Sequence, residues 1–309
     1  MPKTFRPSMH KIICVTPAGR RRYLELLIHY IRRETEIREW HLWDNCRSSD
    51  DRAYLNELAR DNPKIKIIRI DGADGANTSV NRFYRFCNDP EAFYLKVDDD
   101  IVYLEENLSG RLYRQAAAER ERYLWWSPLV VNNAVCSWLI KHHSQVPIEE
   151  ELSCQASFPR GWLDAEFAES LHRKFLAAIG NGEVRNFCVP DFEVSLSRFS
   201  INCIGFFGKD VLELGERFCP PGCDDEEWIS AVLPSMTGRP GRIVGGLVAA
   251  HFSFRVQEAG LLRSGLLERY YRLAGLLPPA REESERSAGL RLLRALRAVK
   301  ARVSRPSHA

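Results

Sequence analysis

Within the first hundred residues of this chain, four short apolar runs each end on a polar residue, and stretches of helical period separate them. Residues 11–16 (K-I-I-C-V-T) read as a buried strand. After the Pro17-Ala18-Gly19 turn, Tyr23, Leu24, Leu27, Ile28 and Ile31 recur on one helical face. Residues 39–43 form a second strand ending at Asp44, and Ser48 or Ser49 caps a helix through Tyr54, Leu55 and Leu58 that stops before Pro63. Residues 65–70 give a third strand ending at Asp71-Gly72. Beyond a Gly/Asn-rich loop, a helix turns Val80, Phe83, Tyr84 and Cys87 inward. The fourth run, 93–97, leads directly into Asp98, Asp99 and Asp100, and a further apolar run follows at 101–104. This alternation predicts an α/β fold with a mostly parallel sheet and right-handed crossovers, in which ligands sit beyond the carboxyl ends of the strands. Thr16, Asp44, Asp71 and the aspartate triplet are therefore expected on one rim, although they lie far apart in sequence.

Three adjacent carboxylates at the edge of an apolar segment repel one another and resist desolvation unless water or a hard cation such as Mn2+ or Mg2+ balances the charge. A D-D-D string in isolation is as readily a solvated acidic turn; its place at a strand end after three β-α units favours the metal. Asp98 and Asp100 would supply oxygen donors, and His251, at the end of a later strand, is the imidazole candidate beside diphosphate oxygens.

Composition narrows the alternatives. The 309 residues are 45% hydrophobic, enough for a real core in one large α/β domain or two small ones. Lys+Arg (44) nearly cancel Asp+Glu (41), so the chain lacks the global field of a general nucleic-acid binder, and anion binding must come from local patches. The nine cysteines are odd in number and scattered, and only Cys219 and Cys223 come close to a pair, which implies reduced thiols and a cytoplasmic setting. Residues 1–10 carry no apolar signal segment, and no run approaches the roughly 18 to 20 apolar residues of a spanning helix, so the expectation is a soluble or peripheral protein.

The second half is less regular. A strand is expected near 123–126, a helix over 164–179, a strand over 200–207 ending at Gly208, and a small-residue strand over 242–250 ending at His251. Between the last two, C-D-D-E-E-W-I at 223–229 reads as an acidic helix start, where carboxylates suit the positive end of the helix dipole. Asp224, Asp225 and Glu226 are candidates for a general base, which must be a carboxylate or histidine within reach of the proton it removes. Asp225 is favoured because Asp224 suits the cap. Trp228 is expected to pack. At the first loop, Thr16, Pro17 and Ala18, together with Asp44, would surround a nucleotide, and Arg20, Arg82 and Lys96 are candidates for diphosphate charge.

In this order, the strand and nucleotide loop, Asp44, Y-L-K-V-D-D-D-I-V-Y-L at 94–104, D-D-E-E-W at 224–228 and His251 resemble GT-A glycosyltransferases, nearest to the family 2 type, over roughly residues 10–255. The first of these motifs looks like the family's DxD signature and the second like its acidic base motif. T-P-A-G-R and L-W-D-N depart from the commonest family 2 forms. The resemblance implies a GT-A catalytic domain at 1–255, with a nucleotide-binding half at 10–104 and an acceptor half at 105–255. It implies transfer of a sugar from a nucleotide donor, commonly UDP-linked, to a glycan or lipid-linked acceptor, as in bacterial-type surface polysaccharide or glycoconjugate synthesis, with Mn2+ or Mg2+ bridging the diphosphate. In that picture Asp100 and His251 bind metal, and Asp98 or Asp99 contacts ribose or metal-bound water. Two rival readings share the carboxylates: a sugar-phosphate nucleotidyltransferase, which releases pyrophosphate, and a non-catalytic carbohydrate-binding protein.

Residues 256–309 read as a helical tail. From 281 to 305 it is basic, with Leu290, Leu293, Leu296, Val299 and Val303 near one face and Arg291, Arg294, Arg297 and Lys300 interleaved. Such a helix can lie on an anionic membrane surface or dock on its own domain.

Overall fold

The computed structural model describes residues 11–278. The chain divides into two compact units, Met1–Leu276 and Leu277–Ala309, and the fold is that of the first. The basic stretch expected at 281–305 lies outside the described residues.

The first β-α units form as the apolar periodicities require. β1 (Lys11–Ala18) is followed by α1 (Arg21–Arg33), and β2 (Ile37–Asp44) by α2 (Ser49–Asp61), whose first turn is capped by the Ser48 hydroxyl accepting from the Asp51 N–H. β3 (Ile65–Ile68) is shorter than expected, and the helix after it is a brief turn, Asn77–Val80, continued as a 3-10 helix, Asn81–Phe86. β4 (Ala92–Val97) and β5 (Ile101–Leu104) flank the aspartates, and α3 (Leu108–Ala118) follows. Then come β6 (Trp125–Val131), α4 (Ala134–His143) and α5 (Ala165–Gly180), the last capped by Asp164, which accepts from the Glu166 and Phe167 N–H groups. β7 (Phe192–Val194), β8 (Cys203–Phe207), β9 (Gly241–His251), α6 (Arg255–Arg263) and α7 (Leu266–Leu273) complete the unit.

All nine strands join one sheet in the order β3-β2-β1-β4-β8-β6-β9-β5, with β7 also paired to β9. The pairings set six strands in one direction; β5, β7 and β8 run against them. The sheet is thus mostly parallel and Rossmann-like, with β8 inserted antiparallel between β4 and β6. Gly205 makes that insertion possible: a Cβ there would lie 2.1 Å from the Phe93 ring.

Trp40, Trp43, Trp125 and Trp126 are fully buried and anchor the strands that lead to the rim. Trp43, one residue before Asp44, stacks on Phe83 at 5.5 Å. α6 and α7 pack against α5 and bury Leu261, Leu266, Tyr270 and Tyr271. Among the described residues no helix is long and apolar enough to cross a membrane.

Candidate active site

Strand direction decides which residues meet. β1, β2, β4, β6 and β9 end at the same edge where the antiparallel β5 and β8 begin, so their flanking residues share a rim. Register sharpens this. Ala18 is level with Asp44, Val97 with Cys203, and Ile101 with His251, which sets Asp100 beside the imidazole.

Asp99 and Asp100 are both buried, and Arg20 spans them. Its guanidinium pairs with Asp99, lies 2.9 Å from Asp100 Oδ2, and reaches Glu258 at 3.6 Å. The Gly19 N–H donates to Asp99 at 3.1 Å. Asp100 Oδ2 also lies 3.4 Å from His251 Nε2, while His251 Nδ1 faces the Asn132 carbonyl at 3.3 Å. Burial alone would raise the Asp100 pKa, but Arg20 and His251 reverse this and hold the carboxyl below its usual range. Burial would lower the His251 pKa, but Asp100 more than offsets it, leaving the imidazole above its ordinary value.

Asp98 faces the other way. Its carboxylate meets the buried Lys96 at 2.5 Å, and its backbone N–H donates to the Asn202 carbonyl at 2.9 Å. Lys96 also donates to the Ile201 carbonyl at 2.8 Å. Across this pair stands Asp225, which accepts from the Tyr84 hydroxyl at 3.3 Å. Burial raises the Asp225 pKa; Lys96 pulls it down, while the Asp98 and Asp224 charges push it further up. Asp224 caps the short helix Asp225–Glu227 by accepting from the Glu227 N–H at 3.1 Å, and Glu226 is held by Arg198 at 2.8 Å. Trp228 is half-buried and donates to the Arg217 carbonyl at 3.0 Å.

The residues expected around a nucleotide are placed unevenly. Thr16 and Ala18 are fully buried in β1, and the Thr16 hydroxyl accepts from Trp40 Nε1 at 2.9 Å, so only the turn at Gly19 and Arg20 touches the aspartates. Pro17 lies within β1, level with Trp43. Asp44 is at the rim but ion-paired to Arg52 at 3.2 Å and Arg69 at 3.1 Å. Arg82 donates to the Asp71 carbonyl at 2.7 Å, on the loop after β3, and touches no member of the triplet.

Sequence reasoning passed over Asn132, Arg198, Asn202 and Glu258. Each reaches the rim through tertiary pairing alone. Asn132, at φ 62 just after β6, is the one with a local trace, because asparagine tolerates the left-handed region.

No group of three or more His, Cys, Asp or Glu is arranged to hold a metal among the described residues. A Mg2+-like ion, however, is bound through one or two carboxylates plus substrate phosphates rather than by a complete protein cage. Asp100 and His251 fit that donor set. The Nδ1 contact to the Asn132 carbonyl orients the ring as a second partner does for a ligating histidine, leaving Nε2 toward Asp100.

The chain has a mostly parallel, Rossmann-like α/β architecture. No protein-family model matches it, and no curated protein does so either. The chain is similar to a number of solved structures. A mannosyltransferase from Pyrobaculum calidifontis, in complex with GDP-Man and Mn2+, shares 12% identity at a TM-score of 0.49, over 85% of this chain and 64% of that one. S. aureus TarS 1-349 shares 14% at a TM-score of 0.43, over 84% of this chain and 65% of that one. A 4-diphosphocytidyl-2C-methyl-D-erythritol synthase from Anaerococcus prevotii shares 10% at a TM-score of 0.42, over 83% of this chain and 95% of that one.

Proposed function

We propose that the chain is a metal-dependent glycosyltransferase that moves a sugar from a nucleotide-diphosphate donor, UDP-linked in the first instance, to a hydroxyl of a glycan or lipid-linked acceptor. The observation that carries this reading is the division of labour along the rim. Asp100 and His251 converge on one side, and Asp225, with its pKa raised, faces Lys96 and Asp98 on the other. A nucleotidyltransferase needs the first group but has no use for a base poised over a sugar hydroxyl.

Asp100 and His251 would hold Mn2+ or Mg2+, which supplies positive charge to the departing diphosphate. Arg20, about one-third exposed and already on Asp99 and Asp100, adds cationic charge at the same mouth. Asp225 accepts the proton of the acceptor hydroxyl as that oxygen bonds to the anomeric carbon and the bond to the diphosphate breaks. A carboxyl with a raised pKa is the better base near neutral pH, because Brønsted behaviour rewards a match to the operating pH. Lys96 holds Asp98 in place, and the two form the wall opposite the base.

Two substitutions test the assignment. Asp100→Ala is expected to abolish Mn2+-dependent release of nucleoside diphosphate, and full turnover with added Mn2+ would remove Asp100 from the ion's shell. Asp225→Asn is expected to lower kcat by about 10²-fold or more with little change in donor KM, the size of effect general-base catalysis supplies. Unchanged turnover would move the base elsewhere. Release of pyrophosphate in place of a nucleoside diphosphate would favour the nucleotidyltransferase reading.

A further inference from the structure

Four acidic residues stand in a row at Asp224, Asp225, Glu226 and Glu227, and chemistry needs only one of them pointed at the rim. One guanidinium sorts them. Arg198 Nη2 lies 2.9 Å from Asp224, Nε 2.8 Å from Glu226 and Nη1 3.4 Å from Glu227. Asp225 is the member of the row that Arg198 leaves alone, and it turns instead to the Tyr84 hydroxyl.

The segment carrying Arg198 is tied to both halves of the rim. The Phe199 N–H donates to the Ser230 hydroxyl at 2.9 Å, and that hydroxyl donates to the Glu226 carbonyl at 2.5 Å, which fixes the helix turn behind the acidic row. The Ser200 carbonyl accepts from Asn133 Nδ2 at 2.8 Å. The Ile201 carbonyl accepts from Lys96, and the Asn202 carbonyl from the Asp98 N–H. The segment 198–202 is therefore bonded to the acidic helix through Arg198 and Phe199 at one end and to Lys96 and Asp98 through Ile201 and Asn202 at the other.

We propose that Arg198 is a positioning residue: by holding Asp224, Glu226 and Glu227 it selects Asp225 as the free carboxylate, and through the strap at 198–202 it sets that carboxylate against Asp98 and Lys96. This rests on the reading of Asp225 as the base. A planar fork with five N–H donors can hold three acids at once, whereas lysine offers one compact charge. Loss of the fork leaves four like charges in sequence, free to reorient, and a displacement of about 1 Å at a reacting group costs about 10²-fold in rate.

The test uses the full chain with Mn2+ and a panel of UDP- and GDP-linked hexoses, following nucleoside diphosphate release. Arg198→Ala is expected to lower kcat by about 10²-fold with donor KM within about twofold, part of the rate returning when millimolar guanidinium ion is added. Arg198→Lys is expected to fall between Arg198→Ala and the unaltered protein. Asp225→Asn is measured beside them. If Asp225→Asn is silent, the base reading fails. If Asp225→Asn is inactive while Arg198→Ala keeps its kcat, the base stands and the positioning role is overturned. Should Arg198→Ala lose stability and activity together, Arg198→Lys at full stability decides the matter: full kcat, or no response of the alanine variant to guanidinium, refutes positioning.

Discussion

At the residue scale, the molecule spends its buried polar groups in two ways. Some are aimed at the rim and others only hold the frame, and His172 belongs to the second kind. It is fully buried, with Nδ1 2.7 Å from the Tyr270 hydroxyl and Nε2 2.8 Å from the Phe252 carbonyl. Nε2 therefore carries the proton and Nδ1 accepts. Burial lowers its pKa from 6.5 to about 4. Between those two values the unfolded chain takes up a proton that the native imidazole refuses. The stabilisation is complete above pH 6.5 and is lost as the pH falls toward about 4, up to roughly 3 kcal/mol in all. Urea midpoints at pH 7 and pH 4.5 should separate more for the unaltered protein than for His172→Gln; equal separation would remove His172 from the acid response. The tethered His172 was invisible in sequence, whereas Asp100 and His251 announced themselves by lying at strand ends. What composition could not show was that Arg20 already bridges Asp99 and Asp100, because a guanidinium's partner is chosen by the turn that carries it.

At the element scale, α3 is held from outside. Its preceding residue, Asn107, has φ 57 and makes no side-chain cap. The buried Glu34, after α1, accepts instead from the Leu108 N–H at 3.2 Å, the Ser109 N–H at 2.8 Å and the Ser109 hydroxyl. A carboxylate on the first-turn donors matches the helix dipole, and α3 lies under β6 and β9. Glu34→Ala is expected to cost roughly 2 kcal/mol, the sum of a lost cap and stranded donors, read as a lower denaturant midpoint. An unchanged midpoint would show water capping the helix equally well. No sequence window could have paired Glu34 with Ser109, since capping rules look only at adjacent residues. The parallel strands β1 to β4 were legible because each carries its own apolar run, whereas the expected polar ends hold for Asp44 on β2 and Asp98 after β4 but not for Thr16, which is buried inside β1, or Asp71, three residues past the end of β3. β8 was legible as a strand but not as an antiparallel one, since direction is set by its partners, Val97 opposite Cys203 and Leu95 opposite Gly205.

At the scale of the whole molecule, the proposal of a lipid-linked acceptor makes the basic stretch after Pro279 a candidate for contact with an anionic surface, worth about 1 kcal/mol per basic residue at the headgroups. Flotation with vesicles containing phosphatidylserine should recover the full chain and leave behind one ending before Pro279, with recovery falling as salt rises. Equal recovery of both would remove the tail from membrane binding. The sheet itself has a further consequence. Because β8 pairs with β4 over five positions on one side and with β6 at Trp126 opposite Gly205 on the other, the strands of the first and second halves of the chain belong to one continuous sheet. Were the proposed donor and acceptor to meet on this frame, they would be admitted by the loops that border the rim, such as the turn at Gly19 and Arg20, and not by two lobes swinging about a hinge.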